Sequence, residues 1–152
     1  MSKTIPFKNF TRNEKVFFIG LLVWILLQIS RLVAIPLIDD INAGSESAAW
    51  LYPAYLDLFA AVFALPLIGA LLRWPGLISW TSAIVYLAIS IVDHFGNFVT
   101  VGAAGPPSIV DEGMNPFLAP AIMTAIDAFF LILLLVPGYR RLFFKLTGEE
   151  SK

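Results

Sequence analysis

The segment Leu77–Phe98, "LISWTSAIVYLAISIVDHFGNF", is apolar enough to cross a membrane, yet its last turns carry Asp93 and the chain's only histidine, His94. A helix needs about 20 mainly apolar residues to cross the hydrocarbon core of a bilayer. The polar residues of this segment recur at intervals of three and four, which is typical of one helix face. They are Ser79, Ser82, Tyr86, Ser90, Asp93 and Asn97. Because a polar face is costly against lipid, we expect it to turn inward.

Three further apolar runs accompany this segment: Val16–Ile38, Tyr52–Leu72 and Pro116–Pro137. The chain is 59% hydrophobic and 14% charged, whereas soluble domains are about half apolar and about a quarter charged. Backbone polar groups in lipid must be satisfied internally, so each run favours a helix. We therefore predict an all-α integral membrane protein, a four-helix bundle forming a single domain over residues 1–152. The predicted spans are 14–38, 52–73, 77–98 and 116–138.

Several classes of function are disfavoured by composition. The absence of cysteine excludes disulfides and thiolate metal sites. The net charge of −1 and the lack of a long basic run give no reason to expect a nucleic-acid partner.

Basic residues are distributed unevenly along the chain. Thr11 and Glu14 match a capping box at the start of the first span. Nine of the basic residues fall on one side of a chain that crosses four times: Lys3, Lys8, Arg12, Lys15, Arg73, Arg140, Arg141, Lys145 and Lys152. The opposite loops carry Asp39, Asp40, Glu46, Asp111 and Glu112 instead. The positive-inside rule then predicts cytoplasmic termini, and we expect a multi-pass protein of a prokaryotic plasma membrane.

One charged residue lies within each of the four apolar runs; these residues are Arg31, Asp57, Asp93 and Asp127. Helical rise places all four in the outer half of the bilayer, within about two helical turns of each other. Such residues are usually functional when they lie inside a membrane. We predict that they line a polar pocket, with Gln28, Tyr86 and His94 as second candidates. Trp50, Tyr52, Trp74 and Tyr139 are interpreted as interfacial aromatic residues.

A metal site is a weaker interpretation of the same acids. Asp57, Asp93, His94 and Asp127 could supply oxygen and imidazole ligands. They lack a spaced ligand motif, and the adjacent Asp93 and His94 cannot easily face one point from a regular helix. We therefore expect neither a metal nor a cofactor.

The favoured function is binding or passage of a small cationic or amphiphilic ligand, with proton coupling left open. Passage would favour a homodimer, because four spans leave little room for alternating access. A structural interpretation is that Arg31 pairs with Asp57 or Asp127 while Asp93 and His94 lie at the wet outer rim. The protein would then be an accessory subunit of a larger membrane complex. An acid–base isomerase acting on a lipid-soluble substrate is a further alternative, but an enzyme is not favoured.

The second span carries an acid followed by a proline, "LDLFAAVFALP", residues 56–66. Together with the four-span layout, this resembles the small bundles of the DoxX and EXPERA type. The resemblance implies cytoplasmic termini and, in the EXPERA case, acids lining a pocket for sterol-like ligands. It assigns no individual residue of this chain.

Overall fold

The computed structural model describes residues 7–110 and 113–143, and all regular elements within these ranges are helical. The first span comprises α1 (Arg12–Leu27), a 3-10 segment (Gln28–Val33) and α2 (Ala34–Ala43). The later helices are α3 (Leu51–Arg73), α4 (Leu77–Ala104), α5 (Leu118–Leu135) and α6 (Pro137–Arg140). Short 3-10 turns occupy Phe7–Asn9 and Ala48–Trp50.

Four stretches are long and apolar enough to cross a membrane: Arg12–Ala43, Ala48–Arg73, Leu77–Ala104 and Leu118–Leu135. This finding confirms the predicted all-helical class and the presence of four helices long and apolar enough to be the predicted spans, and we keep the name span for each of them. We call the end of the bundle that carries connections 44–50 and 105–117 the long-loop end. The opposite end carries the turn 74–76 and both ends of the described chain, and we call it the turn end. Asp111, Glu112, Lys3, Lys145 and Lys152 lie outside the described residues.

Two spans extend beyond their predicted ends at the long-loop end. The first continues to Ala43 and ends at Gly44, whose φ of 77° is the left-handed conformation that glycine adopts at helix ends. The third continues to Ala104 and ends at Gly105, with φ of 81°, just before two prolines that cannot continue the helix. The segment from Asp39 onward and the glycine- and proline-rich segment from Val99 onward had been interpreted as loops.

The fourth span is shorter than predicted and ends at Leu135. Val136 is extended, with φ −66° and ψ 127°, because a residue before proline is pushed out of the helical region. Pro137 then begins the short helix α6.

The predicted capping box forms at the start of the first span. The Glu14 backbone N–H donates to Thr11 Oγ1 at 3.3 Å, and the Thr11 N–H donates to Glu14 Oε2 at 2.7 Å. The other oxygen, Glu14 Oε1, accepts from Arg141 Nε at 2.9 Å. This ion pair fastens the start of α1 to the segment after α6.

The first span changes its winding near the middle. Pro36 has no N–H for the carbonyl of Leu32, and its ring crowds that carbonyl. The helix tightens to 3-10 geometry over Gln28–Val33, immediately before the proline turn. Side chains three residues apart eclipse in this geometry, so Gln28 and Arg31 both point into the bundle.

Two apolar clusters hold the bundle together. The larger joins α1, α3, α4, α5 and the segment after α6, and includes Leu21, Ile25, Leu87 and Leu134. The smaller lies at the long-loop end around Trp50 and Ala54. Large apolar side chains also remain exposed on the outer surface, as Ile78 does at 84%. The polar groups lie between the two clusters.

Candidate functional site

Arg31 is the centre of a buried polar cluster between the spans. Its Nη1 lies 2.8 Å from Asp93 Oδ2 and 3.3 Å from Asp57 Oδ1. Its Nη2 donates to Ser90 Oγ at 2.8 Å and also contacts His94 Nε2. Arg31 is 4% exposed, so this guanidinium is removed from solvent and linked to two other spans at once. We call Arg31, Asp57, Asp93, His94 and Asp127 the charged cluster.

Asp127 joins the charged cluster through His94. Its Oδ2 lies 3.3 Å from His94 Nε2, and its Oδ1 accepts from Trp24 Nε1 at 2.6 Å. Asp127 is fully buried, with 0% exposure. The fourth span is therefore tied to the first through Trp24 and to the third through His94.

A cavity of about 340 Å³ opens beside the charged cluster at the long-loop end. Arg31, Asp57 and His94 line one wall of it. Asp57 is the most accessible carboxyl group of the cluster, with a side chain 24% exposed, whereas Asp93 is 1% exposed. The remaining walls are mainly apolar, including Leu37, Trp50, Val101, Met114 and Met123. The cavity thus combines a charged wall with an apolar lining.

The connection after α4 covers part of this cavity. Pro107 and Ile109 line it, and the intervening Ser108 donates its backbone N–H to Glu46 Oε2 at 2.8 Å. Glu46 Oε1 accepts from the Ser47 N–H at 2.9 Å. The N–H groups of Ser108 and Ser47 lower the pKa of Glu46, because they stabilise its charged form. Glu46 therefore joins the two long-loop connections at the mouth of the cavity.

The structure separates the seven sequence-predicted site residues into three groups. Arg31, Asp57 and His94 line the cavity, while Asp93 and Asp127 contact them from behind. The other two make backbone contacts instead. Gln28 Nε2 donates to the Trp24 carbonyl at 3.4 Å, and Tyr86 Oη donates to the Ala60 carbonyl at 2.8 Å. Neither Gln28 nor Tyr86 lines this cavity.

Three expectations about the third span need correction. Asp93 and His94 do converge on one point, since both contact the Arg31 guanidinium, whose two Nη atoms reach neighbouring helix positions. They do not lie at a wet rim, because they are 1% and 2% exposed. Ser82 of the predicted inward stripe is exposed, since it borders a groove on the outer surface.

The structural interpretation of Arg31 also needs correction. Arg31 pairs with Asp57, which was one of the two expected partners. It also pairs with Asp93, which was not expected. Its contact with Asp127 is indirect, through His94.

Three residues of the site were not among the predicted candidates. Ser90 lies on the polar stripe of the third span, and Trp24 lies one helical turn before Gln28 on the first, so residue spacing could have found both. Trp50 was interpreted as interfacial, but it is 4% exposed and lines the cavity. Its indole N–H has no hydrogen-bond partner within the described ranges. A buried unpaired donor beside a cavity is a candidate contact for a ligand.

No arrangement of three or more His, Cys, Asp or Glu side chains suited to a metal ion occurs among residues 7–110 and 113–143. Comparison of the chain with family models, curated proteins and solved structures finds no match. The resemblance to DoxX and EXPERA bundles accordingly remains a prediction.

Proposed function

We propose that this protein is a membrane protein that binds a small amphiphilic cation in the cavity beside the charged cluster. The observation that carries this proposal is the excess of acid in the charged cluster that borders the cavity. Asp57 and Asp93 pair with the Arg31 guanidinium, and Asp127 is linked to it through His94, so three carboxyl groups share a single guanidinium. When the carboxylates are ionised, the charged cluster lacks positive charge, and burying unbalanced charge costs several kcal/mol. A cation entering the cavity supplies the missing charge.

Asp57 is the group that we expect to meet the ligand. It faces the cavity with a partly exposed carboxylate, whereas Asp93 and Asp127 lie behind Arg31 and His94. An anion in the same place would have to displace a carboxylate from Arg31. The net charge of the charged cluster therefore favours a cation over an anion.

The other walls indicate that the ligand has an apolar body. Leu37, Val101, Met114 and Met123 line the cavity, and small-molecule sites commonly combine such walls with a few polar groups. Methionine side chains adapt to ligands of different shape. The unpaired indole N–H of Trp50 is a further donor that can form a hydrogen bond with an acceptor on the ligand.

The proposed orientation follows from the charged residues at the two ends. Arg12, Lys15, Arg73 and Arg141 belong to the turn end, and Asp39, Asp40 and Glu46 belong to the long-loop end. By the positive-inside rule, the termini are cytoplasmic and the cavity faces outward. We propose a prokaryotic plasma membrane as the location, so that the ligand arrives from outside the cell.

Three probes of equal chain length test the proposal: hexyltrimethylammonium, hexanol and hexanoate. Their binding is measured by calorimetry on the protein in phosphatidylcholine nanodiscs, with empty nanodiscs as the control for partitioning. We expect saturable binding of the cation and weaker binding of hexanol and hexanoate. Equal binding of all three would show that the charged cluster does not select the ligand, and saturable binding of none would contradict the proposed function.

A further inference from the structure

His94 contacts two groups that make opposite demands on its ring nitrogen. Arg31 carries only hydrogen-bond donors, so its contact with His94 Nε2 requires that nitrogen to be an unprotonated acceptor. Asp127 Oδ2 lies 3.3 Å from the same nitrogen and is an acceptor when ionised. Two acceptors facing each other repel unless a proton lies between them. The contact between His94 and Asp127 is therefore favourable only when the pair holds a proton.

The hydrogen bonds around Asp127 point to the same conclusion. Its Oδ1 is satisfied by Trp24, but its Oδ2 has no hydrogen-bond partner in the described part of the chain. Asp127 is completely buried, and a buried carboxylate oxygen without a donor is costly. A proton on Oδ2 or on His94 Nε2 converts this contact into a hydrogen bond.

Charged and titratable side chains face His94 from every span. Arg31 approaches from the first span, Asp57 from the second and Asp127 from the fourth, while Asp93 precedes His94 on the third. Tyr86 lies two turns earlier on the third span, with its hydroxyl on the Ala60 carbonyl. A proton on the His94–Asp127 pair and a cation in the cavity therefore interact electrostatically with the same carboxylates.

We propose that a cation in the cavity and the proton held between His94 and Asp127 displace each other, so that the site exchanges one for the other. This inference rests on the proposed function. Asp57 and His94 both touch the Arg31 guanidinium and both line the cavity, so a cation beside Asp57 lies close to the pair. Electrostatic repulsion between the cation and the proton disfavours holding both at once, by a factor on the order of tenfold. By linkage, the proton lowers the cation's affinity by the same factor.

The route of the proton follows from the lining of the cavity. His94 is the member of the pair that borders it, whereas Asp127 does not. The proton therefore leaves the pair by way of the His94 ring to water in the cavity; the N–H or O–H bond that held it breaks, water accepts the proton, and no bond between heavy atoms changes. Arg31 stays positive throughout because a guanidinium does not lose its proton in proteins.

Proton release on binding of hexyltrimethylammonium tests the exchange, because this quaternary cation has no proton of its own. Its binding enthalpy is measured in phosphate and in Tris buffer at a pH of about 7, and the difference gives the protons released. We expect a release of about half a proton at most, and an affinity, measured between about pH 5 and pH 8, that rises with pH by about tenfold in total. Saturable binding without release, and with a flat pH profile, would overturn the exchange while leaving the proposed function intact. No binding would overturn both.

Two variants test whether the released proton comes from the His94–Asp127 pair. Asp127→Asn and His94→Gln remove the titrating groups while retaining polar side chains of similar size. We expect both to bind the cation with altered affinity and to release no proton. Asp39→Asn, at an exposed acid of the long-loop end, is the matched control and should release the wild-type amount. Continued release by both pair variants would place the proton on Asp57 or Asp93 and contradict the assignment. If neither variant folds, the pH profile of the wild type decides.

Discussion

The guanidinium of Arg31 lies 2.8 Å from Asp93 Oδ2, although the two residues are 62 positions apart in the chain. The same guanidinium lies 3.3 Å from Asp57 on a third helix. Because Arg31 and Asp93 are buried and Asp57 is only partly exposed, their mutual attraction is stronger than at a surface. Arg31 thus balances acids from two spans and holds the first three spans in register.

Replacing Arg31 by methionine tests this role. The Arg31→Met variant keeps a long apolar side chain but leaves Asp57 and Asp93 without their counter-charge. We expect a loss of about 3 to 5 kcal/mol in the free energy of unfolding, measured by titration with denaturing detergent. The double variant Arg31→Met/Asp93→Asn, which removes one stranded charge, should regain part of the loss. If Arg31→Met were as stable as the wild type, the ion pairs of Arg31 with Asp57 and Asp93 would not stabilise the fold as described.

The hydrogen bond from Trp24 to Asp127 gives a second prediction. Trp24→Phe keeps an aromatic ring but removes the donor to the buried Oδ1. We expect a loss of about 1 to 3 kcal/mol in the free energy of unfolding, since a buried acceptor is left unsatisfied. Trp74→Phe is the matched control, because Trp74 is 69% exposed, and it should change stability by less than about 0.5 kcal/mol. Equal effects of both substitutions would contradict a specific role for Trp24.

The four long apolar helices and the common level of the charged residues along the bundle were predictable from local features of the sequence. The span lengths follow from apolar runs, and the common level of Arg31, Asp57, Asp93 and Asp127 follows from helical rise. Which of these residues touch was not predictable, because it depends on packing between distant segments. The 3-10 winding over Gln28–Val33 rotates Arg31 toward the third span, and the sequence signals this only through Pro36.

The role of Trp50 shows the same limit. A tryptophan near a span end is commonly interfacial, and the sequence supported that interpretation. The structure buries Trp50 because α2 and the end of α4 extend past the predicted span ends and pack around it. Those extensions depended on where Gly44 and Gly105 end the helices, which the apolar pattern did not resolve.

The Glu46 contact at the mouth of the cavity predicts a pH effect. The lowered pKa means that the folded protein favours ionised Glu46, so this contribution to stability is fully present above the ordinary value of 4.5. It is lost as the pH falls below that value through the lowered pKa. Thermal unfolding followed from about pH 6 to pH 3 should show a smaller wild-type advantage over Glu46→Gln at the acidic end. A difference independent of pH would contradict the contact with Ser108.

The proposed orientation predicts which loops are reachable from outside the cell. The natural chain has no cysteine, so single cysteines report their own positions. Ser45→Cys lies at the long-loop end and Gly76→Cys in the turn at the opposite end. In intact cells, a membrane-impermeant maleimide should label Ser45→Cys and leave Gly76→Cys unlabelled until the cells are lysed. The reverse pattern would place the cavity on the cytoplasmic side.

The most direct test of cation binding is the thermal stability of the purified protein with and without hexyltrimethylammonium. Binding to the folded state raises the unfolding temperature by an amount that grows with the logarithm of the ligand concentration relative to the dissociation constant. We expect a concentration-dependent rise for wild type and for Asp39→Asn, and none for Asp57→Asn when that variant is folded. A rise of the same size in Asp57→Asn would contradict the assignment of Asp57 to the ligand. No rise in the wild type would contradict a cation site in this cavity and direct attention to a structural role for the charged cluster.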